Sequence, residues 1–83
     1  MLHPSTISLD QLKTGVRGRI FGFDACEPSL VAKLREIGFA EGDEVELMGR
    51  GWLGGAPLSI RLNRTLIGLR KNEASLVRVE LSK

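Results

Sequence analysis

The sequence predicts a mainly β protein, a small and strongly bent antiparallel barrel of about five strands. One short helix is inserted between the first two strands, and a short helical turn precedes them. Three observations carry this. Five short stretches alternate apolar and polar residues with the period of a half-buried strand. They are punctuated by glycine, asparagine and proline at turn spacing. No long amphipathic helix lies between them, as a parallel crossover would require. A chain of 83 residues buries about 60% of the surface its unfolded form exposes, so nearly every alternating apolar position is needed for the core.

Residues 1–7 read as a tail and 8–83 as the domain. Ser8 is placed to cap one turn over residues 9–12, which Gly15 closes. In "GVRGRIFGF", residues 15–23, Val16, Gly18, Ile20 and Gly22 share one face, and Arg17, Arg19, Phe21 and Phe23 the other. Glycines in a strand mark bends, bulges or close backbone approaches, which suits a tightly curled barrel. Pro28 then opens a helix with Leu30, Leu34 and Ile37 as its buried stripe and Lys33, Arg35 and Glu36 facing water.

Within "KLREIGFAEGDEVEL", residues 33–47, the period changes from helical to alternating. Gly38 ends the helix and Gly42-Asp43 turns into a strand inset with Val45 and Leu47. The helix thus bridges the first two strands and caps one side of the barrel. The later apolar sets are Leu58, Ile60 and Leu62; Ile67 and Leu69; and Val77, Val79 and Leu81. Asn63-Arg64 reads as a tight hairpin, residues 71–74 as a single helical turn, and residues 49–57 as the longest irregular stretch.

Hydrophobic residues make up 42% of the chain and charged residues 27%, ordinary proportions for a globular domain. A formal charge of +2 without any basic block is a weak invitation to nucleic acid. One cysteine, Cys26, makes no intrachain disulfide and points to a reducing compartment. The first residues lack a secretory pattern and no apolar run reaches the roughly 18 residues needed to span a bilayer, so a cytoplasmic location is expected.

Candidates for chemistry are few. His3, the single histidine, falls in the tail beside Pro4. Cys26 has no histidine near it in sequence and reads as a loop residue rather than a reactive thiol. Asp24, Cys26 and Glu27 lie close together, with His3 as a possible fourth group, yet the paired Cys and His of a structural zinc site are missing. The glycines around Trp52 lack the spacing of a phosphate-binding loop. Arg61, Arg64, Arg70, Lys71 and Arg78 would form a basic face if their strands were neighbours, but Phe21, Phe23, Phe39 and Trp52 do not interleave with them as base-stacking aromatics would. Trp52-Leu53, set between glycines, either folds back as a lid or stays exposed to anchor a partner.

The order of these elements resembles the FeoA family of bacterial ferrous iron transport. The likeness spans residues 8–81 and rests on "SLDQLKTG", "KLREIGFAEGDEVEL", "GGAPLSIRL" and above all "LIGLRKNEASLVRVEL". Glu41 stands where family members often carry proline, and residues 49–55 match no fixed pattern. The resemblance implies an SH3-like barrel, no cofactor and no enzymatic activity. It implies an accessory protein that binds the FeoB-type membrane ferrous iron transporter, which carries a cytosolic GTPase domain. A related barrel ends metal-dependent repressors of the diphtheria toxin repressor type, but these residues contain no helix-turn-helix. On this reading Trp52 and Leu53 contact the partner with Arg50 as a polar neighbour. The alternatives are a small nucleic-acid-binding barrel using Arg61, Arg64, Arg70 and Arg78, and insertion of Arg50 as a finger that accelerates GTP hydrolysis.

Overall fold

A computed structural model of the chain describes residues 6–51 and 55–81. Its elements are β1 (Thr6–Ser8), a 3-10 turn (Leu9–Gln11), β2 (Arg17–Phe23), α1 (Pro28–Ile37), β3 (Glu44–Gly51), β4 (Gly55–Leu62), β5 (Thr65–Leu69), α2 (Lys71–Ala74) and β6 (Val77–Leu81). The six strands form one antiparallel sheet in the order β1-β6-β2-β3-β4-β5. Among the described residues the sheet is open rather than closed, with β1 and β5 as its edges. The sixth strand is β1. Three residues are too few to show an alternating period, and two of them fall in the stretch expected to be a tail. Ser8 ends that strand opposite Arg78, and its side chain makes no capping hydrogen bond to the turn that follows.

The early part of the chain meets its late part where β2 pairs with β6. Gly18 lies opposite Leu81, and a Cβ built on it would stand 2.3 Å from Val79 Cγ1 and 2.9 Å from the Glu80 carbonyl oxygen. Only glycine fits so close a backbone approach. Two residues further on, the register passes from Ile20 opposite Val79 to Gly22 opposite Arg78, so β2 advances two residues against one. This bulge at Phe21 reverses which side chains point inward. Phe21 is 53% exposed, while Phe23, which alternation sets on the face of Arg17 and Arg19, ends opposite Val77 and packs against the core. Val16, which alternation sets on the face of Ile20, is 36% exposed because it closes a turn through its N–H to the Lys13 carbonyl instead of entering the strand.

A second bulge at Met48 acts likewise on β3. Leu47 opposes Ile60, Gly49 opposes Ser59 and Arg50 opposes Leu58, which brings Arg50 to the parity of the core-facing residues. After a further shift Gly51 meets Gly55. The bulges let both strands continue, so most of the stretch expected to be irregular is strand.

Helix α1 buries Leu34 completely and packs Leu30 and Val31 against the core, but Ile37 is 41% exposed. The helix ends there: Gly38 takes φ 126°, the Gly38 N–H donates to the Arg35 carbonyl at 3.1 Å, and the Phe39 N–H to the Leu34 carbonyl at 3.1 Å. This termination motif turns the chain inward one residue beyond the helix, so Phe39, 1% exposed, takes the place expected for Ile37. Gly42, at φ 91°, donates to the Ile20 carbonyl, and the Ala40 N–H donates to Asp43 Oδ2. Lys33, expected in water, reaches Glu73 at 2.8 Å. Glu73 is 6% exposed and also accepts the Arg70 N–H at 2.9 Å. Lys33 and this N–H hold its carboxyl below the usual range and tie α1 to α2.

Fifteen buried apolar residues from every element except β1 and α1's outer turns make one core, among them Leu9, Ile20, Leu34, Phe39, Val45, Leu47, Leu58, Ile60 and Val79. Each fully buried side chain of this kind contributes about 1.5–3 kcal/mol relative to exposure. The close approach at Gly18 makes that position the sharpest test of the arrangement. Gly18→Ala should lower unfolding free energy by about 1–3 kcal/mol in a urea titration. Gly22→Ala, where a Cβ meets nothing within 4 Å, should be neutral or stabilising by up to about 1 kcal/mol. Equal effects at the two sites would refute the tight crossing.

Candidate functional site

Outward-facing charges on the sheet are arranged in rows across the strands. Arg17 opposes Glu46, which opposes Arg61; Arg19 stands between Glu80 and Glu44. Arg61 and Arg17 both pair with Glu46, the latter at 3.7 Å. Arg19 donates to the Gly42 carbonyl at 2.9 Å. Arg78 directs its guanidinium to the Thr6 carbonyl and hydroxyl at 3.3 and 3.4 Å. The basic face imagined from Arg61, Arg64, Arg70, Lys71 and Arg78 is therefore not assembled. Arg61 and Arg78 are engaged with the protein itself, and Arg64 and Arg70 stand at opposite ends of β5.

Arg50 is the candidate contact residue whose placement is described. Its parity, reversed by the bulge at Met48, carries the guanidinium across the end of the sheet to the carbonyls of Asp10, at 2.7 Å, and Leu12, at 3.4 Å. A cation on these carbonyls fastens the 3-10 turn to the β3–β4 hairpin. Trp52 and Leu53 lie outside the described residues, as does His3. Beside the base of that hairpin, the outer face of β3, β4 and β5 holds a groove of about 500 Å³. Gly49, Ser59 and Gly68 oppose one another across three strands and form its floor, with Met48 and Pro57 at its sides. Small side chains across adjacent strands leave this depression, and strict alternation hides it because the Met48 bulge sets Gly49 in the row.

At the other end of the sheet, Arg35 forms a bidentate pair with Glu41 at 3.0 and 2.9 Å, and its Cζ lies 4.5 Å from the centre of the Phe23 ring. Hydrogen bonding from Arg35 lowers the Glu41 carboxyl from 4.5 to about 2. Glu41 thereby gives the loop after α1 a link to the helix that proline could not supply. At the β2–α1 connection, Cys26 is exposed and its N–H donates to Asp24 Oδ1 at 3.2 Å, a local turn bond. Among the described residues, no three His, Cys, Asp or Glu side chains gather to hold a metal ion, and no helix is long and apolar enough to cross a membrane.

Against known proteins, the model of the FeoA domain matches residues 7–81. The iron(II) transport protein A of Clostridium thermocellum is 35% identical with a TM-score of 0.80, covering 90% of this chain and 45% of that one. FeoA of Stenotrophomonas maltophilia, solved with zinc and described as a prokaryotic SH3 domain protein proposed as a ferrous iron transport activating factor, is 29% identical with a TM-score of 0.77, covering 89% of each chain. A manganese-dependent transcriptional repressor gives a TM-score of 0.86 at 16% identity, covering 99% of this chain and 45% of its own, a likeness of fold alone. Comparison with curated protein sequences gave no match.

Two outcomes check the site as described. Arg50→Ala should lower stability by about 1 kcal/mol, because two backbone carbonyls lose a charged donor at an exposed position; an unchanged denaturation midpoint would refute the fastening role. For Glu41, a folded-state pKa below the ordinary value means that its contribution is in place above about pH 4.5 and is lost as pH falls toward 2. Its carboxyl carbon resonance should titrate near pH 2 and move up in Arg35→Gln; a midpoint near 4.5 in the parent protein would contradict the pair.

Proposed function

Because this chain belongs to the FeoA family, with an SH3-like fold and a link to ferrous iron transport, we propose that it is a non-enzymatic cytoplasmic accessory protein that binds and modulates a FeoB-type membrane transporter. The observation that carries this reading is the family match over residues 7–81, which takes in all but one residue of the described fold. Trp52 and Leu53, which fall between β3 and β4 in the sequence, supply the apolar contact. Arg50 is their polar neighbour and holds the hairpin base through Asp10 and Leu12.

Two rivals gain no support from the geometry. A nucleic-acid face would need its arginines free and interleaved with aromatics, yet Arg61 and Arg78 are bound to protein groups. An arginine finger would have to release both carbonyls that Arg50 holds before reaching a phosphate.

The test is a titration of the protein against a detergent-solubilised, tryptophan-free FeoB-type transporter, followed by the emission of Trp52. Saturable binding with a blue shift is expected, and its absence, with no association by sedimentation, refutes the reading. Replacing Trp52 and Leu53 together by alanine should cost about 2 kcal/mol or more in binding, roughly thirtyfold in Kd. A loss below about 0.5 kcal/mol would move the contact elsewhere on the surface.

A further inference from the structure

The two edges of the sheet differ. β1 is three residues long, and the carbonyl of Thr6 already accepts from Arg78. β5 runs five residues, Thr65–Leu69, in unbroken register with β4, without a bulge, a proline or a charge. Proteins ordinarily blunt an exposed edge with one of those devices, since its unpaired backbone groups accept any passing strand.

The hairpin geometry identifies which groups have no partner strand among the described residues. A two-residue turn at Asn63 and Arg64 makes Leu62 and Thr65 a hydrogen-bonded pair, and bonded and non-bonded pairs then alternate. Leu66 and Gly68 therefore direct their N–H and C=O away from β4. Leu66 is 65% exposed, and a Cβ on Gly68 would meet nothing within 4 Å. A side chain arriving over Gly68 enters the groove floored by Gly49, Ser59 and Gly68.

Charge selects the occupant. Arg64 precedes the strand and Arg70 and Lys71 follow it; all three are exposed and take part in no ion pair among the described residues. A second copy of this chain would pair about Ile67 with Leu66 against Gly68, which sets Arg64 of each copy against Arg70 of the other. Like charges so placed oppose self-association, while an acidic strand meets cations at both ends.

We propose that the free edge of β5 is the docking site for an extended segment of the partner, apolar at its centre and acidic at both ends, which adds as a seventh strand. This rests on the transporter-accessory reading above and names its surface. The groove continues that edge across β4 to Gly49 and Gly51 of β3.

The experiment uses the intact protein and the detergent-solubilised transporter, with amide hydrogen exchange read residue by residue in the free and bound states. Binding should slow exchange at Leu66 and Gly68 by roughly tenfold or more. Leu66→Pro removes an outward N–H that β4 does not use, and should raise Kd by roughly tenfold. The pair Arg64→Glu and Lys71→Glu, on exposed side chains, should weaken binding comparably and reverse its salt dependence, which keeps the test valid if the proline variant fails to fold. Transporter binding with unchanged exchange at Leu66 and Gly68 and an unchanged Kd in the charge-reversed protein overturns the edge proposal and leaves the accessory reading standing. Absence of any transporter binding overturns both. Protection of the same amides by self-association in the protein alone overturns the choice of an acidic partner.

Discussion

Everything in this fold depends on the antiparallel crossing of β2 and β6. In the strand order β6 stands between β1 and β2, so β1 is joined to the β2-β3-β4-β5 part of the sheet only through β6. The contact joins residues about 60 apart and the closure of so long a loop is unfavourable until many contacts form with it. Gly18 lets the backbones meet closely enough for that to happen, and Val79 fills the space that a side chain there would have taken. The 3-10 turn and α2 then pack across the sheet against the same core residues.

Bulges shape the outer surface as firmly as the hydrophobic pattern shapes the inner one. A strand read by alternation alone keeps one face throughout, and that reading holds for Val45, Leu47, Leu58, Ile60 and Leu62, all buried. It fails wherever one extra residue is inserted. Phe23 moves inward, Arg50 acquires the parity of the core, and Gly49 joins Ser59 and Gly68 on the outside. Glycines flank each of these places, so the sequence signals that something irregular happens without saying how many residues it consumes. β1 escapes for a different reason, having too few residues for any period, and Ile37 because a helical stripe does not show where the helix stops. Of the residues expected to touch a partner, only Arg50 has a described position, and its hydrogen bonds to Asp10 and Leu12 depend on a register that no local pattern encodes.

The distribution of charge follows the same division. Arginines next to glutamates on neighbouring strands, as at Arg17, Glu46 and Arg61, neutralise each other across the sheet and add modest stability. Those at element ends, such as Arg50 and Arg78, donate to backbone carbonyls of the N-terminal segment. A formal excess of +2 thus describes no field. What reaches outward is local, as at the two ends of β5.

The pairing of Thr6 with Glu80 sets the entrance and the exit of the fold side by side. A polypeptide can enter and leave at one place, so the unit can hang from a longer chain, or be spliced into a surface loop of another protein, without stretching its host. Tension applied across these two points would open β1 from β6 rung by rung, like a zip, and at Leu81 it would bear on the pairing with Gly18 at the same time.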